Sequence, residues 1–543
     1  FDELKKNARN GYFEKLIKEY LLDNNHKSII SLVPEYGLEK EKEQKEADKL
    51  AEYKSTLTND ELEELVKKTK ELKEYQDTPS SQEDLEKIPM LELSDIKREP
   101  AKDYNDVKSV DGIKIVHHNI FTNKIAYINM SFDTKCVPDE LIPYMGLLGS
   151  TLSLMDTKNY TYPELTNEIN INCGGLATGT ALYSDKVDFS KNTIVYEVKS
   201  KALYEKVPFV LGMMEEIMYN TRFDDYKRLK EIIARIKSRL EASLMGQGHS
   251  IAMLECCAQF SESAYYSDIL RGYKYYEFIK KLDEEFEQNK TQIVDKLNKL
   301  VGYIFNKDNV IVSLTADDEG YDCFVKALSA KSCNIKDEHY NTAVRSFIPV
   351  NVKTGYTSAS QVQYVARCGN FVKDGYKYTG ALKVLKVIFS YDYLWINVRV
   401  KGGAYGCMSG SSRNGDFYMV SYRDPNLEKT NDIYEGAADY IRNFDVSRRD
   451  MVKFIIGTIG EIDAPLTPSA IGSRSFTHYM CNCTEDMLRK DREEVLDATV
   501  ESIRELAPLI ESAVGQNYLC VVGNQKQINE AADLFDEIKP LIG

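Results

Sequence analysis

Arg399 and Tyr405 stand six positions apart in "VRVKGGAYG", Val398 to Gly406, with Gly402 and Gly403 between them. A guanidinium is permanently charged, and a phenol with an ordinary pKa of about 10 stays protonated at neutral pH, so both are hydrogen-bond donors under physiological conditions. Aimed at one point, they suit a carbonyl oxygen that gains negative charge during a reaction, and loss of one such donor typically lowers turnover by about 10²–10³. The same spacing also fits an arginine neutralising a helix C-terminus and a tyrosine packed in the core. The carrying element decides between them. In "YLWINVRV", Leu394, Trp395 and Val398 follow a helical period, whereas Leu394, Ile396, Val398 and Val400 follow a strand period. We read a helix ending near Arg399 that the two glycines stop and turn, so that the arginine on its last turn and the tyrosine at the next strand's start face one cavity.

Other chemistry is less well provided for. The six histidines are His26, His117, His118, His249, His339 and His478, and no two of them stand four apart with a glutamate available as base. "HYMCNC" brings His478, Cys481 and Cys483 close in sequence, three zinc ligands if a fourth arrives from elsewhere, or else two reduced thiols at a helix end. His117 and His118 are neighbours in a strand pattern and should face opposite ways. Cys256 and Cys257 lie in an apolar helical setting and read as core thiols. Gly410 to Ser412 is no G-x-S-x-G elbow, and "KGGAYG" matches neither phosphate-binding glycine pattern, so a tight turn accounts for its glycines.

The chain has 543 residues, enough for about three or four domain-sized units. Its net charge of −15 opposes phosphate backbones and anionic lipid, so neither nucleic acid nor membrane is an expected partner. No run of about 18 apolar residues is present, and "FDELKKNARNGYF" lacks the apolar core of a secretory signal. Eleven cysteines, an odd number without a short-loop framework, fit reduced thiols. A soluble, cytoplasmic chain is the expectation, and a start at Phe1 inside a helical pattern suggests part of something longer.

Leu38 to Tyr75 is dense in Glu and Lys, with Leu62, Leu65, Val66, Thr69 and Leu72 at helical spacing and a cap at Thr58 or Asn59, which predicts a charged helical hairpin. "QDTPSSQEDLEKIP" is a polar connector. "GIKIVHHNIFTNKIAYINMSFDT" predicts two paired strands, helices follow at 141–156 and 203–245, and "NVIVSLTADD" is a core strand. From about Ser346 the order repeats: "SQVQYVARCGNF", a helix in "KYTGALKVLKVIFSYDYLW", "GDFYMVSYRD", a helix in "TNDIYEGAADYIRNF", and "NYLCVVGN". The expected architecture is α+β: a helical hairpin linker over 1–100, then two copies of one domain over 101–345 and 346–543.

Together, "TNKIAYINMSFDT", "SQVQYVARCGNF", "YLWINVRVKGGAYG", "GDFYMVSYRDPNL" and "GTIGEIDAPLTPSAIGSRSFTHYM" resemble the C-terminal half of presequence-protease and falcilysin-like enzymes, a branch of the insulinase and pitrilysin zinc metallopeptidases. The resemblance implies two bowl-shaped halves, each of two similar α/β-sandwich domains, hinged by a helical linker and closing over unfolded peptides. It implies that zinc is held in the N-terminal half by an inverted His-x-x-Glu-His helix, so that no metal ligand falls in this chain, which alone would be inactive. It also implies that the C-terminal half donates an arginine and a tyrosine to the substrate carbonyl, which fall on Arg399 and Tyr405 as catalytic and substrate-binding residues. The implied activity is that of a metalloendopeptidase, with unfolded peptides and the N-terminal half as partners. The competing readings are an inactive insulinase-like subunit or peptide-binding partner, and an independent zinc protein built on His478, Cys481 and Cys483. "YMCNCTED" departs from the small-residue turn of relatives.

Overall fold

The computed structural model describes residues 1–542 except Pro34, Pro79 and 331–333, so Pro79 of the polar connector and Cys333 lie outside the described residues. The chain divides into two compact units, Phe1–Pro89 and Met90–Gly543.

The first unit is helical. Leu38–Thr56 and Asn59–Asp77 are its long helices, and Thr58 starts the second with a capping box, its hydroxyl accepting from the Glu61 N–H while the Glu61 carboxylate accepts from the Thr58 N–H. Leu50, Tyr53, Leu65, Val66 and Leu72 remain half or more exposed, because helices this rich in Glu and Lys carry too little apolar surface to bury one another.

The second unit contains two six-stranded sheets. The first is built from β1 (Asp106–Val110), β2 (Ile113–Asn119), β3 (Ile125–Asp133), β4 (Leu176–Ser184), β5 (Asn192–Leu203) and β6 (Val310–Ala316), in the order β1-β2-β6-β3-β5-β4. The second comprises β7 (Thr354–Ser358), β8 (Tyr364–Asn370), β9 (Gly406–Ser411), β10 (Asp416–Tyr422), β11 (Tyr518–Asn524) and β12 (Glu537–Pro540), in the order β12-β7-β11-β8-β10-β9. Five strands correspond one to one: β2-β6-β3-β5-β4 repeats as β7-β11-β8-β10-β9, with the β2–β6 and β7–β11 pairs parallel and the other pairs in these runs antiparallel. The internal repeat read from sequence is therefore a repeat of topology. One expectation is corrected: β2 and β3 do not pair with each other, because β6 enters between them and bonds to both. A strand returning from a long crossover takes the parallel slot that a short connection cannot fill.

Each sheet packs helices of its own domain on one face. On β3, Ile128, Met130 and Phe132 point into a core with Leu147, Leu148, Leu211 and Ile233, all nearly or fully buried. Val365 and Met419 do the same in the second sheet, against Leu382, Leu385 and Ile510. Burying each such side chain is worth about 1.5–3 kcal/mol, which holds the sheets rigid.

The opposite faces are covered by exchange. Helix Gly248–Ala258, from the first domain's helical layer, lies across β8, β10 and β11 of the second sheet. Helix Pro468–Met480, from the second domain's, lies across β6 and β2 of the first. Both helices bring a glycine hard against the sheet: a Cβ on Gly248 would sit 2.3 Å from the Tyr364 ring, and one on Gly472 would sit 1.9 Å from Thr315 Oγ1. His117 and His118 do face opposite ways, and both are buried, His117 toward the Tyr321 ring and His118 beneath helix Pro468–Met480, close to Phe476. Cys256 and Cys257 are core thiols of the first of these seams.

Candidate functional site

The ambiguous "YLWINVRV" is helical. Helix Ala381–Ile388 runs on through two segments of wider π winding, Phe389–Tyr393 and Trp395–Val400. Such winding is rare and frequently marks functional sites. Leu394 and Val398 are buried in the second core, which turns Trp395 and Arg399, four apart, together toward the surface. The winding ends with the Lys401 N–H on the Ile396 carbonyl, and the chain then turns, with the Gly403 N–H on the Arg399 carbonyl at 2.8 Å and the Ala404 N–H on the Val398 carbonyl at 3.1 Å. Gly403 takes φ +81°, a conformation that glycine adopts without strain. From the neighbouring loop, Asn426 Nδ2 donates to the Gly402 carbonyl at 2.6 Å. The Tyr405 N–H reaches the carbonyls of Tyr422 and Arg423, which seats Tyr405 at the head of β9, on the outer edge of the sheet.

This backbone brings Arg399 and Tyr405 together. The guanidinium donates to the Tyr405 carbonyl at 2.7 Å, and its Cζ lies 5.6 Å from the Tyr405 ring centroid and 4.1 Å from that of Trp395. Arg399 is half-buried, while Tyr405 is 65% exposed and meets the Tyr422 ring edge-on at 5.9 Å. Among the neighbouring groups, burial pushes the Cys407 thiol up to about 11 despite the opposing pull of Arg399, so it is a neutral bystander. A charged group with five N–H donors, one of them committed to backbone, beside an exposed phenol can offer hydrogen bonds from two side chains to one oxygen. Sequence reading passed over the roles of Trp395, Tyr422 and Asn426. Only Trp395 carried a usable signal, its helical spacing from Arg399.

The other candidates do not assemble. His478 Nδ1 is 2.7 Å from an Asp103 carboxylate oxygen, Cys481 is buried with its carbonyl accepting from the Lys186 N–H, and the two cysteines flank Asn482 at φ +52°. Among the described residues, the His, Cys, Asp and Glu grouping whose ligand atoms lie within 4.8 Å of one another is Asp308, Asp337 and His339, which are exposed. An exposed pair of aspartates with one histidine does not match the donor set of a catalytic zinc, so the residues present do not fit that metal. Gly410 and Ser411 lie within β9 and form no nucleophile elbow.

Paired sheet domains that cover each other define an insulinase-type half-molecule, and comparison with known proteins agrees. Residues 32–282 match the family described as associated with subfamily C of the M16 peptidases, and residues 355–524 match the PreP C-terminal domain. Protein HypA of Clostridium perfringens is 39% identical over all of this chain, which covers 55% of it. Presequence protease 1, chloroplastic/mitochondrial, of Arabidopsis thaliana is 30% identical over 97% of this chain, which covers 49% of it. The chain thus spans about half the length of the curated relatives it matches. The crystal structure of a peptidase M16 inactive domain from Pseudomonas fluorescens shares the fold, with TM-score 0.51 and 15% identity over 78% of this chain and 98% of that one. The chain belongs to the M16 peptidase family, in its subfamily C, and corresponds to the C-terminal half of such a protein.

Proposed function

We propose that this chain forms one wall of a zinc metalloendopeptidase that degrades unfolded peptides, with Arg399 and Tyr405 donating to the carbonyl oxygen of the bond being cleaved. The observation that carries this reading is the pairing itself: a guanidinium held against the Tyr405 carbonyl, beside a phenol left 65% exposed. As water adds to the peptide carbonyl, negative charge grows on its oxygen, and two fixed donors stabilise that charge more than they stabilise the neutral ground state. The zinc belongs, in this reading, to the N-terminal half, so activity needs both halves closed on the substrate and this chain alone is inactive. A donor pair on a turn of its own also weighs against an inactive scaffold, which has no use for one. We place the enzyme in the cytoplasm, a reading supported by the net charge of −15 and by ten described cysteines that are all free; no described helix is long and apolar enough to cross a membrane. In the full-length enzyme, Tyr405→Phe should lower kcat more than tenfold, about the effect of one lost oxyanion donor, with zinc content unchanged. Wild-type turnover in that variant would remove the pair from the mechanism.

A further inference from the structure

We infer that Trp395 is a positioning residue for Arg399, acting through the face of its indole; this rests on the proposed donor role of Arg399. Arginine has several rotatable bonds, and a half-buried one at the end of a helix has to be restrained if its charge is to sit ready for an oxyanion. Here two contacts restrain it. The Tyr405 carbonyl takes one N–H at 2.7 Å, and the indole lies 4.1 Å from Cζ, well inside the range over which a cation is drawn to a ring face. The backbone hydrogen bond fixes one edge of the guanidinium, and the ring fixes its plane, so the remaining N–H groups point in one set of directions. The π winding makes this possible, because Trp395 and Arg399 share a side of the segment while Leu394 and Val398 anchor the other side in the core. Trp395 is 38% exposed, so it is not held there by core packing alone, and it is the only tryptophan in the chain.

A restraint on a transition-state donor acts on turnover rather than on substrate affinity. In the full-length enzyme with an unfolded peptide substrate, Trp395→Leu should lower kcat about three- to tenfold with KM nearly unchanged, the kinetic size of a partly exposed cation–π contact. Trp395→Phe, which keeps a ring face, should recover most of that loss. In an Arg399→Ala background Trp395→Leu should have no further effect on kcat. Equal loss in both backgrounds, or a loss that Trp395→Phe does not recover, would mean the tryptophan only supports the fold and would overturn the inference. If Arg399→Ala lowers kcat but Trp395→Leu does not, the inference alone fails. If Arg399→Ala leaves kcat intact, the donor reading fails first.

Discussion

The two sheet domains share a strand order and also a bend: Gly174–Gly175 leads into β4 as Gly402–Gly403 leads toward β9, and Gly175 and Gly403 both have positive φ, +110° and +81°. Aligned on these glycines, the first domain has Ile171 where the second has Arg399, and Ala177 where it has Tyr405. A bend common to both copies belongs to the fold. Donors present in one copy do not, since the first domain closes the same turn without them. The exchanged helices differ in the same instructive way. Helix Gly248–Ala258 meets the second sheet through Ile251, Cys256, Cys257, Tyr364, Ala366, Cys368 and Val522, an apolar seam. Helix Pro468–Met480 meets the first through His118, Ser313, Thr315 and Ser475, a polar one, next to a groove of about 430 Å³.

The largest test of this contrast is catalytic. Arg399→Ala in the full-length enzyme should reduce kcat by about 10²–10³, whereas Ile171→Ala, its counterpart by position, should change it by less than about twofold. Comparable losses would show that both bends serve only architecture.

The seams should separate by pH. Buried His118, held by Ser313 Oγ at 2.9 Å and by the Tyr104 carbonyl, has its pKa pushed down to about 4, chiefly by burial. Above its ordinary value of about 6.5 both folded and unfolded states are neutral there; below it the unfolded chain gains a proton that the native one refuses. Stability should therefore fall by on the order of 3 kcal/mol between about pH 6.5 and pH 4, seen in urea titrations, and His118→Gln should remove that slope. An unchanged slope would remove the histidine from the account.

Gly472→Val should cost about 1–3 kcal/mol in the same titrations, because its side chain would displace Thr315 from the polar seam. A neutral result would show that this seam yields where the close approach says it is tight.

The apolar seam should respond weakly and with the opposite sign. Glu255, buried beside Asp268 and accepting from the Tyr356 hydroxyl, has its pKa raised, first by burial and then by the Asp268 charge. Its native state keeps the proton that the unfolded chain releases, so this contribution is complete below about pH 4.5 and is lost as pH climbs toward the raised value. Glu255→Gln should flatten the neutral-to-alkaline limb of the stability profile.

Much of this was legible in sequence because local patterns carried it. The Thr58 cap, the helix through Trp395 and Arg399, and the strands at Val310 and Tyr518 follow from periodicity and from turn residues. The insertion of β6 between β2 and β3 was not legible, since a pairing between segments so far apart leaves no local mark. Nor was the covering of His118 by a helix of the other domain: a strand pattern says which way a side chain points but not what arrives to cover it. The donor pair was visible as residue types and spacing, and its geometry was not, because the approach of guanidinium to ring depends on the π winding and on Asn426 holding the bend from another loop.

The late strand has a consequence for synthesis. Until Val310–Ala316 leaves the ribosome, β2 and β3 are separated by an empty slot with both flanking edges unpaired, and the same wait recurs in the second copy until Tyr518–Asn524 emerges. A nascent chain of this kind exposes apolar ribbons for most of its translation, and its yield in a cell should depend on chaperone capacity more than its final stability suggests.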